Sequence, residues 1–214
     1  MVGALRYLAG IVLSAACALG ANPARAQTSY EAVTRPQAEM MDGLLVRQCT
    51  QDDRSIRWLA LEEMSYPLRG DRRAHDDGVR IFTEHYESSG CGASPRRINV
   101  QVYHGGPQAL NPTPVLLPPG ETAISAGIMT DLFRAHIPQL IGLRHPTCRN
   151  APAGEPIFLV TDTNVLSGTP FALGQTWVER WDYRACGVTD SVDISFTSDG
   201  DRVTMLLTTI ATAQ

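Results

Sequence analysis

The hydrophobic positions of this chain recur with two different periods, one typical of helices and one typical of strands. Apolar residues return at helical spacing over 27–48 and again over 120–143, so both stretches are predicted to be helices with one buried face. Thr122 or Ser125 is expected to cap the second helix. Pro138 should end or kink that helix, because proline has no backbone N–H to donate.

Alternation with a period of two, or a run of β-branched residues, predicts the strands. These strands are expected over 79–87, 98–103, 157–165, 176–184, 191–196 and 203–210. The stretch 56–66 alternates poorly on its own, and its position in the repeat described next favours a strand. Five prolines within 107–119 indicate a stiff connection, with an edge strand at most over 115–117.

One segment occurs twice in the chain without a gap. Residues 82–92 and 177–187 share the pattern aromatic-x-Glu-x-aromatic-acid-x-x-small-Cys-Gly, 95 positions apart. The alternating strands that follow also correspond, and so do Cys49 and Cys148, which come after the two predicted helices. This order predicts an α+β fold, built by internal duplication of one helix followed by four antiparallel strands (αββββ twice).

The duplication also predicts the domain organisation. It divides the chain into a first α+β repeat over 27–108, a proline-rich connection over 109–121 and a second repeat over 122–214. Each repeat alone is small and would bury little core. We therefore expect the two repeats to pack as one domain around a pseudo-two-fold axis.

Residues 1–26 have the pattern of a secretory signal peptide. Arg6 supplies a positive charge, an apolar run covers 8–21, and Ala24-Arg25-Ala26 offers the small-x-small site that signal peptidase cuts. The apolar run is shorter than the roughly 20 residues that span a bilayer, so no transmembrane anchor is expected after cleavage. The pattern predicts a periplasmic or secreted protein of a Gram-negative bacterium.

All 18 basic residues of the chain are arginine, and 22 acidic residues give a net charge of −4. The leader contains two arginines and no acid, so the chain without it has a net charge of −6. A nucleic-acid partner is not expected, because it would require a basic face. The absence of lysine also excludes Schiff-base chemistry and the Gly-Lys-Ser/Thr phosphate loop.

Four cysteines follow the leader, and an even number in an exported chain predicts two disulfide bonds. The repeat favours one bond in each unit, Cys49–Cys91 and Cys148–Cys186. None of these cysteines has the spacing of a zinc site or of a Cys-x-x-Cys redox pair. The five histidines form no i, i+4 pair, so we expect neither a metal site nor a cofactor.

Strand alternation places a glutamate between aromatic residues on one face of the repeated strand. The candidate binding residues on this face are Phe82, Glu84, Tyr86, Trp177, Glu179 and Trp181. A buried carboxylate without a partner is costly. The structural interpretation is that each glutamate pairs with an arginine or with backbone N–H groups and fixes the sheet on its helix. His85 points to the opposite face and is expected to be solvated.

Two functional interpretations of the same residues remain open. The aromatic faces could form a groove that stacks on sugar rings or holds a cationic group. Alternatively, the carboxylates of Glu84 and Glu179 could share one cleft as the acid and base of a glycoside hydrolase. No catalytic residue is assigned on this basis.

The pattern aromatic-x-x-x-aromatic-x-x-x-x-Cys-Gly, with the alternating strand after it, covers 175–200 and resembles small exported proteobacterial proteins of uncharacterised function. This resemblance supports export and implies no activity. The sequence favours a non-enzymatic binding or interaction protein, with a protein or glycan of the cell envelope as partner. The alternatives are a hydrolase of envelope polysaccharide or peptide that uses Glu84 and Glu179, and a structural subunit of an envelope assembly.

Overall fold

The computed structural model describes residues 23–46, 53–64, 78–105, 112–148, 156–171, 174–199 and 202–208. The first unit contains α1 (Pro23–Leu45), β1 (Arg54–Glu63), β2 (Val79–Gly90), β3 (Ala93–Gly105) and β4 (Thr113–Leu116). The second unit contains α2 (Ala126–Ala135), α3 (Ile137–Arg144), β5 (Phe158–Ser167), β6 (Thr176–Ala185), β7 (Val188–Asp199) and β8 (Arg202–Thr208). In each unit the four strands pair antiparallel in chain order, which confirms the predicted αββββ arrangement.

The stretch that alternates poorly in the sequence is strand β1, as its place in the repeat predicted. β1 pairs with β2, and the register shifts between Trp58 and Ala60. Trp58 packs in the core under α1 before this irregularity, and Leu61 packs there after it, although an odd number of positions separates them. A bulge reverses which residues face the core, so the period of two is lost from the sequence.

α1 lies on the first sheet with one apolar side inward. Its buried residues include Tyr30, Ala38, Met41 and Leu45. The helix begins at Pro23, ahead of the predicted cleavage site, and residues 1–22 of the predicted signal peptide lie outside the described residues. Within the described residues, no helix has both the length and the apolar character needed to cross a membrane.

The second helical stretch is divided at Pro138, as predicted. α2 ends at Ala135, and α3 begins at Ile137 with the proline in its first turn, where a missing N–H costs no helical hydrogen bond. Ser125 is the N-cap of α2, because its hydroxyl accepts a hydrogen bond from the backbone N–H of Ile128 at 3.4 Å.

The two Cys-Gly pairs of the repeat form the turns of equivalent hairpins. Cys91-Gly92 joins β2 to β3, Cys186-Gly187 joins β6 to β7, and all four residues have a positive φ. Two successive residues with positive φ are typical of a type I′ turn, whose twist fits a two-residue hairpin. The repeated dipeptide therefore sets the register of the central strand pair in both sheets.

The predicted disulfide bond of the second unit is confirmed. Cys148, just beyond α3, is bonded to Cys186 with 5.8 Å between their Cα atoms, which is ordinary disulfide geometry. In the first unit Cys91 is disulfide-bonded. The predicted Cys49–Cys91 bond involves Cys49, which lies outside the described residues.

Residues 117–121 connect the two units and form hydrogen bonds to strands of both. The backbone N–H groups of Leu117 and Gly120 donate to carbonyls of β3 at 3.0 and 2.7 Å. The N–H of Glu121 donates to the carbonyl of Thr163 in β5 at 2.7 Å. The β4 side of the first sheet is thus next to β5. These are not equivalent strands, so the units follow each other head to tail, which differs from the expected pseudo-two-fold packing.

The helices of the two units lie on opposite faces of this arrangement. Leu159 and Val160 are consecutive in β5, so their side chains point to opposite faces. Leu159 packs in the core under α1, whereas Val160 packs in the core under α2 and α3. On the face of the first sheet away from α1, the Gln101 side chain accepts a hydrogen bond from the backbone N–H of Ala126 at the start of α2. Each unit therefore covers part of the other.

Candidate binding cavity

The six residues singled out by the repeat lie in the hydrophobic cores. All of them are buried, namely Phe82, Glu84, Tyr86, Trp177, Glu179 and Trp181. The three in β2 face α1, and the three in β6 face α2 and the segment before it. They pack against these elements and form no open groove in this arrangement. A binding role for them stays a prediction.

Glu179 is held by four hydrogen bonds, two to each carboxylate oxygen. Oε1 accepts from the backbone N–H of Ala123 at 2.9 Å and from Nε1 of Trp177 at 3.1 Å. Oε2 accepts from the hydroxyl of Thr122 at 2.9 Å and from Nε1 of Trp181 at 3.0 Å. The carboxylate therefore fixes the segment before α2 on the second sheet, as the structural interpretation expected, although no arginine of the described residues takes part.

Glu84 occupies the equivalent position in the first unit with fewer donors. Its Oε2 accepts from the hydroxyls of Thr34 in α1 and Tyr86, the latter at 2.9 Å. Its Oε1 is buried without a hydrogen bond in the described structure, and so is Nε1 of Trp58. Burial raises the pKa of Glu84, while hydrogen bonds from Thr34 and Tyr86, and a weak contribution from the Trp58 indole, act in the lowering direction. The repeat explains the deficit, since Phe82 stands where Trp177 supplies an N–H in the second unit.

The structure does not bring the two carboxylates together. Glu84 lies beneath α1, and Glu179 lies beneath the segment before α2, on the opposite face of the arrangement. Each binds donors of its own unit. Chemically, both act as acceptors that fasten a helical layer to a strand.

A cavity of about 230 Å³ opens on the face of the first sheet away from α1. Its polar wall includes Glu62, Thr83 and His85, and its apolar wall includes Met64, Ile124 and Phe171. The polar residues come from β1 and β2, whereas Ile124 and Phe171 belong to the second unit. The cavity therefore exists only because the two units are packed together.

His85 is the buried titratable group of this cavity, and its ring orientation is fixed by Asn99. The side-chain N–H groups of Asn99 donate to the carbonyls of Pro118 and Gly120 at 2.8 and 3.0 Å, so its Oδ1 must face the ring. Oδ1 lies 2.7 Å from Nδ1 of His85. Because Oδ1 can only accept, we assign the ring proton to Nδ1. Nε of Arg97 also lies 3.1 Å from Nδ1, and this assignment excludes a hydrogen bond between those two atoms.

The remaining ring nitrogen, Nε2, is an acceptor at the cavity. It is buried and has no hydrogen-bond partner among the described residues. Oε2 of Glu62 lies 3.3 Å away, on a side chain that is 65% exposed at the mouth. Burial lowers the pKa of His85 and the positive charge of Arg97 lowers it further, while the hydrogen bond with Asn99 and the nearby carboxylate of Glu62 act in the raising direction. The neutral ring and the carboxylate thus present two acceptors to each other.

His85 was expected to be solvated, and this expectation is wrong. The ring is 6% exposed, because the connection and the second unit cover the face to which it points. One feature of the sequence, in β3, could have indicated that this face is covered. Its positions opposite the core carry the amides Asn99 and Gln101, where a solvated face would more often carry charges. Both amides are buried and bind backbone groups of the connection or of α2.

Phe171 forms the wall of the cavity from a strained backbone position. Its φ is 63°, in the left-handed region that bulky residues rarely adopt. The ring packs on Trp177 with 5.0 Å between the ring centroids. Such strain persists only where the surroundings enforce it, and it is concentrated at functional sites. The aromatic wall is thereby held next to the core of the second unit.

Comparisons with known proteins leave the site to be interpreted from its own geometry. No protein-family model matches the chain, and no curated protein or solved structure gives a match. Within the described residues, no group of three or more His, Cys, Asp or Glu side chains is placed to hold a metal ion.

Proposed function

We propose that this chain is an exported, non-enzymatic binding protein of the bacterial envelope that takes its ligand in the cavity beside His85. The observation that carries the proposal is the Nε2 atom of His85, a buried acceptor with no partner among the described residues. A buried polar atom without a partner costs free energy, and a ligand that donates a hydrogen bond removes this cost. The ligand is a small molecule or a protruding group of a larger envelope component.

Two features support an exported location. The leader pattern over 1–26 is that of a secretory signal peptide. The Cys148–Cys186 bond is a structural disulfide, and such bonds persist in oxidising compartments such as the periplasm.

The geometry does not favour the hydrolytic alternative. Paired catalytic carboxylates must flank one bond of the substrate at a separation of less than about 10 Å. Glu84 and Glu179 are instead buried beneath different helical layers and hold structural donors. The remaining alternative, a subunit of an envelope assembly, stays a prediction.

The proposal is tested by filling the cavity. Thr83→Trp places an indole into the cavity from a strand position that tolerates aromatic residues. Arg57→Trp is the matched control, because Arg57 is exposed on the neighbouring strand, outside the cavity. All proteins are purified from the native periplasm without denaturant and measured by native mass spectrometry. We expect a bound mass in the wild type and in Arg57→Trp, and its loss in Thr83→Trp. The proposal fails if no protein carries a bound mass, or if all three carry the same one.

A further inference from the structure

Building on the proposed function, we infer that the cavity binds an organic ammonium group carried on a small apolar body. The inference rests on the two acceptors that converge at the cavity. Nε2 of His85 and Oε2 of Glu62 are 3.3 Å apart, and neither atom donates a hydrogen to the other when the ring is neutral. A single nitrogen can lie within hydrogen-bond distance of both atoms, about 2.9 Å from each. An ammonium group has the several N–H donors that this arrangement requires.

The acceptor character of His85 is built into the fold. Asn99 binds two backbone carbonyls of the connection and directs its oxygen at Nδ1, so the ring cannot turn its N–H toward the cavity. Burial also lowers the pKa of His85, which keeps the ring neutral near neutral pH. The ring therefore does not supply its own proton to Glu62.

The charges at the mouth favour a cation over an anion. Glu63 is paired with Arg80 through two hydrogen bonds at 2.8 and 2.9 Å, so its charge is balanced. Glu62 has a weaker partner, since Arg97 is 3.8 Å from its other oxygen, Oε1. Oε2 is left facing the cavity and the ring. An anionic ligand would instead place its charge beside this carboxylate, and the two like charges would repel each other.

The opposite wall determines what the ammonium group is attached to. Met64, Ile124 and Phe171 line it, and the aromatic ring of Phe171 can pack on a hydrocarbon or receive a cation on its face. The volume of about 230 Å³ exceeds the roughly 150 Å³ of a cavity that admits benzene. A single ring with a short ammonium arm therefore fits.

The test uses benzylammonium as the probe, with benzyl alcohol and benzoate as uncharged and anionic counterparts. Each is titrated by calorimetry into the full mature protein near neutral pH. We expect benzylammonium to bind at least tenfold more tightly than either counterpart, the factor expected for one charge-assisted hydrogen bond. We also expect benzylammonium to change the ¹⁵N chemical shift of Nε2 in His85, which reports a hydrogen bond to that atom.

Two variants locate the binding. Glu62→Gln removes the carboxylate from an exposed side chain and should weaken benzylammonium binding by roughly tenfold. Glu87→Gln removes a carboxylate from the same face of the same sheet, outside the cavity, and should leave binding within about twofold.

The inference is overturned if benzoate binds as tightly as benzylammonium, or if Glu62→Gln and Glu87→Gln behave alike. A cavity that holds a native ligand but rejects benzylammonium overturns the ligand class and leaves the proposed function standing. A cavity that takes neither overturns both.

Discussion

Glu84 and Glu179 occupy equivalent positions 95 residues apart, yet four donors reach Glu179, whereas two described residues donate to Glu84. The same substitution should therefore have different effects in the two units. In Glu179→Gln, an NH₂ group replaces one of the two carboxylate oxygens and would face the two donors that this oxygen accepts from. We therefore expect a loss of about 3–5 kcal/mol in the free energy of unfolding. In Glu84→Gln, the expected change is within about 1 kcal/mol at neutral pH, because the burial of a charge is also removed. Urea denaturation of both variants measures the difference, and equal losses would contradict it.

The pKa of Glu84 predicts a dependence of stability on pH. The folded protein has a raised pKa at this carboxyl, so the unfolded chain loses the proton first as pH increases. The stabilisation from Glu84 is fully present below its ordinary pKa of 4.5 and is lost as pH rises through the folded pKa. The unfolding free energy of the wild type minus that of Glu84→Gln, measured at each pH, isolates the contribution of Glu84 to stability. A difference that stays constant across the acidic range would contradict the prediction.

His85 predicts the opposite dependence. Burial lowers its pKa below 6.5, so the unfolded chain takes up a proton before the folded protein does. Stability from the neutral ring is therefore present above pH 6.5 and falls as pH decreases toward the folded pKa. The charged groups that face the ring are Glu62 from β1, which raises the pKa, and Arg97 from β3, which lowers it. Denaturation of the wild type and of His85→Gln between about pH 5 and pH 8 checks this, and the variant should lack the decline.

Gly120 predicts a steric limit at the junction between the units. Its φ is 92°, and a Cβ there would meet the side chain of Asp162 and the backbone of Thr163. We expect Gly120→Ala to cost roughly 3 kcal/mol, from backbone strain together with overpacking. Gly78→Ala is the matched control, because Gly78 has a φ of 75° and a Cβ there would lie more than 4 Å from every described residue beyond its chain neighbours. It should cost about 1 kcal/mol. Thermal denaturation distinguishes them, and similar melting temperatures would contradict the steric argument.

Removing the Cys148–Cys186 bond should lower stability through two separable effects, the loss of the cross-link and the strain of the residue that replaces Cys186 in the turn. The bond closes a loop with a sequence separation of 38, so replacing both cysteines by alanine should cost about 4 kcal/mol in chain entropy. Cys186 has a φ of 50°, which asparagine tolerates better than alanine. The Cys148→Ala, Cys186→Asn protein should therefore be about 1 kcal/mol more stable than the double alanine protein. Chemical denaturation of the two proteins measures this, and equal stability would indicate that the turn tolerates alanine.

Most of the fold was predictable because strand parity and turn residues can be recognised within short segments, and the repeat shows the same segments twice. Strand parity places Trp177, Glu179 and Trp181 on the core face, and that holds in the structure. The dipeptide Cys186-Gly187 marks a hairpin turn, and this too can be recognised from the residues of one short segment. A bulge such as that near Trp58 shifts the parity, and only the comparison between the two units compensated for it.

The cavity was not predictable, because it depends on contacts between residues far apart in the chain. Parity gave the direction of His85 correctly. Whether that direction leads to solvent depends on where the connection runs, and this is decided by hydrogen bonds such as that from Glu121 to Thr163. The partners of Glu179 likewise include Ala123, which lies 56 positions away. Sequence periodicity contains no information at that range.

The head-to-tail order of the units has a consequence for how such a chain could have evolved. A single ancestral unit would have carried two different contact surfaces, one on its β4 side and one at its first strand. Contacts between unlike edges are heterologous, so free copies would have added to one another head to tail, as rings or as open filaments. Fusing two copies in one chain makes one such contact intramolecular, at a high effective concentration. Gene fusion would then have fixed one head-to-tail contact within a single chain, and the cavity beside His85 lies at that contact.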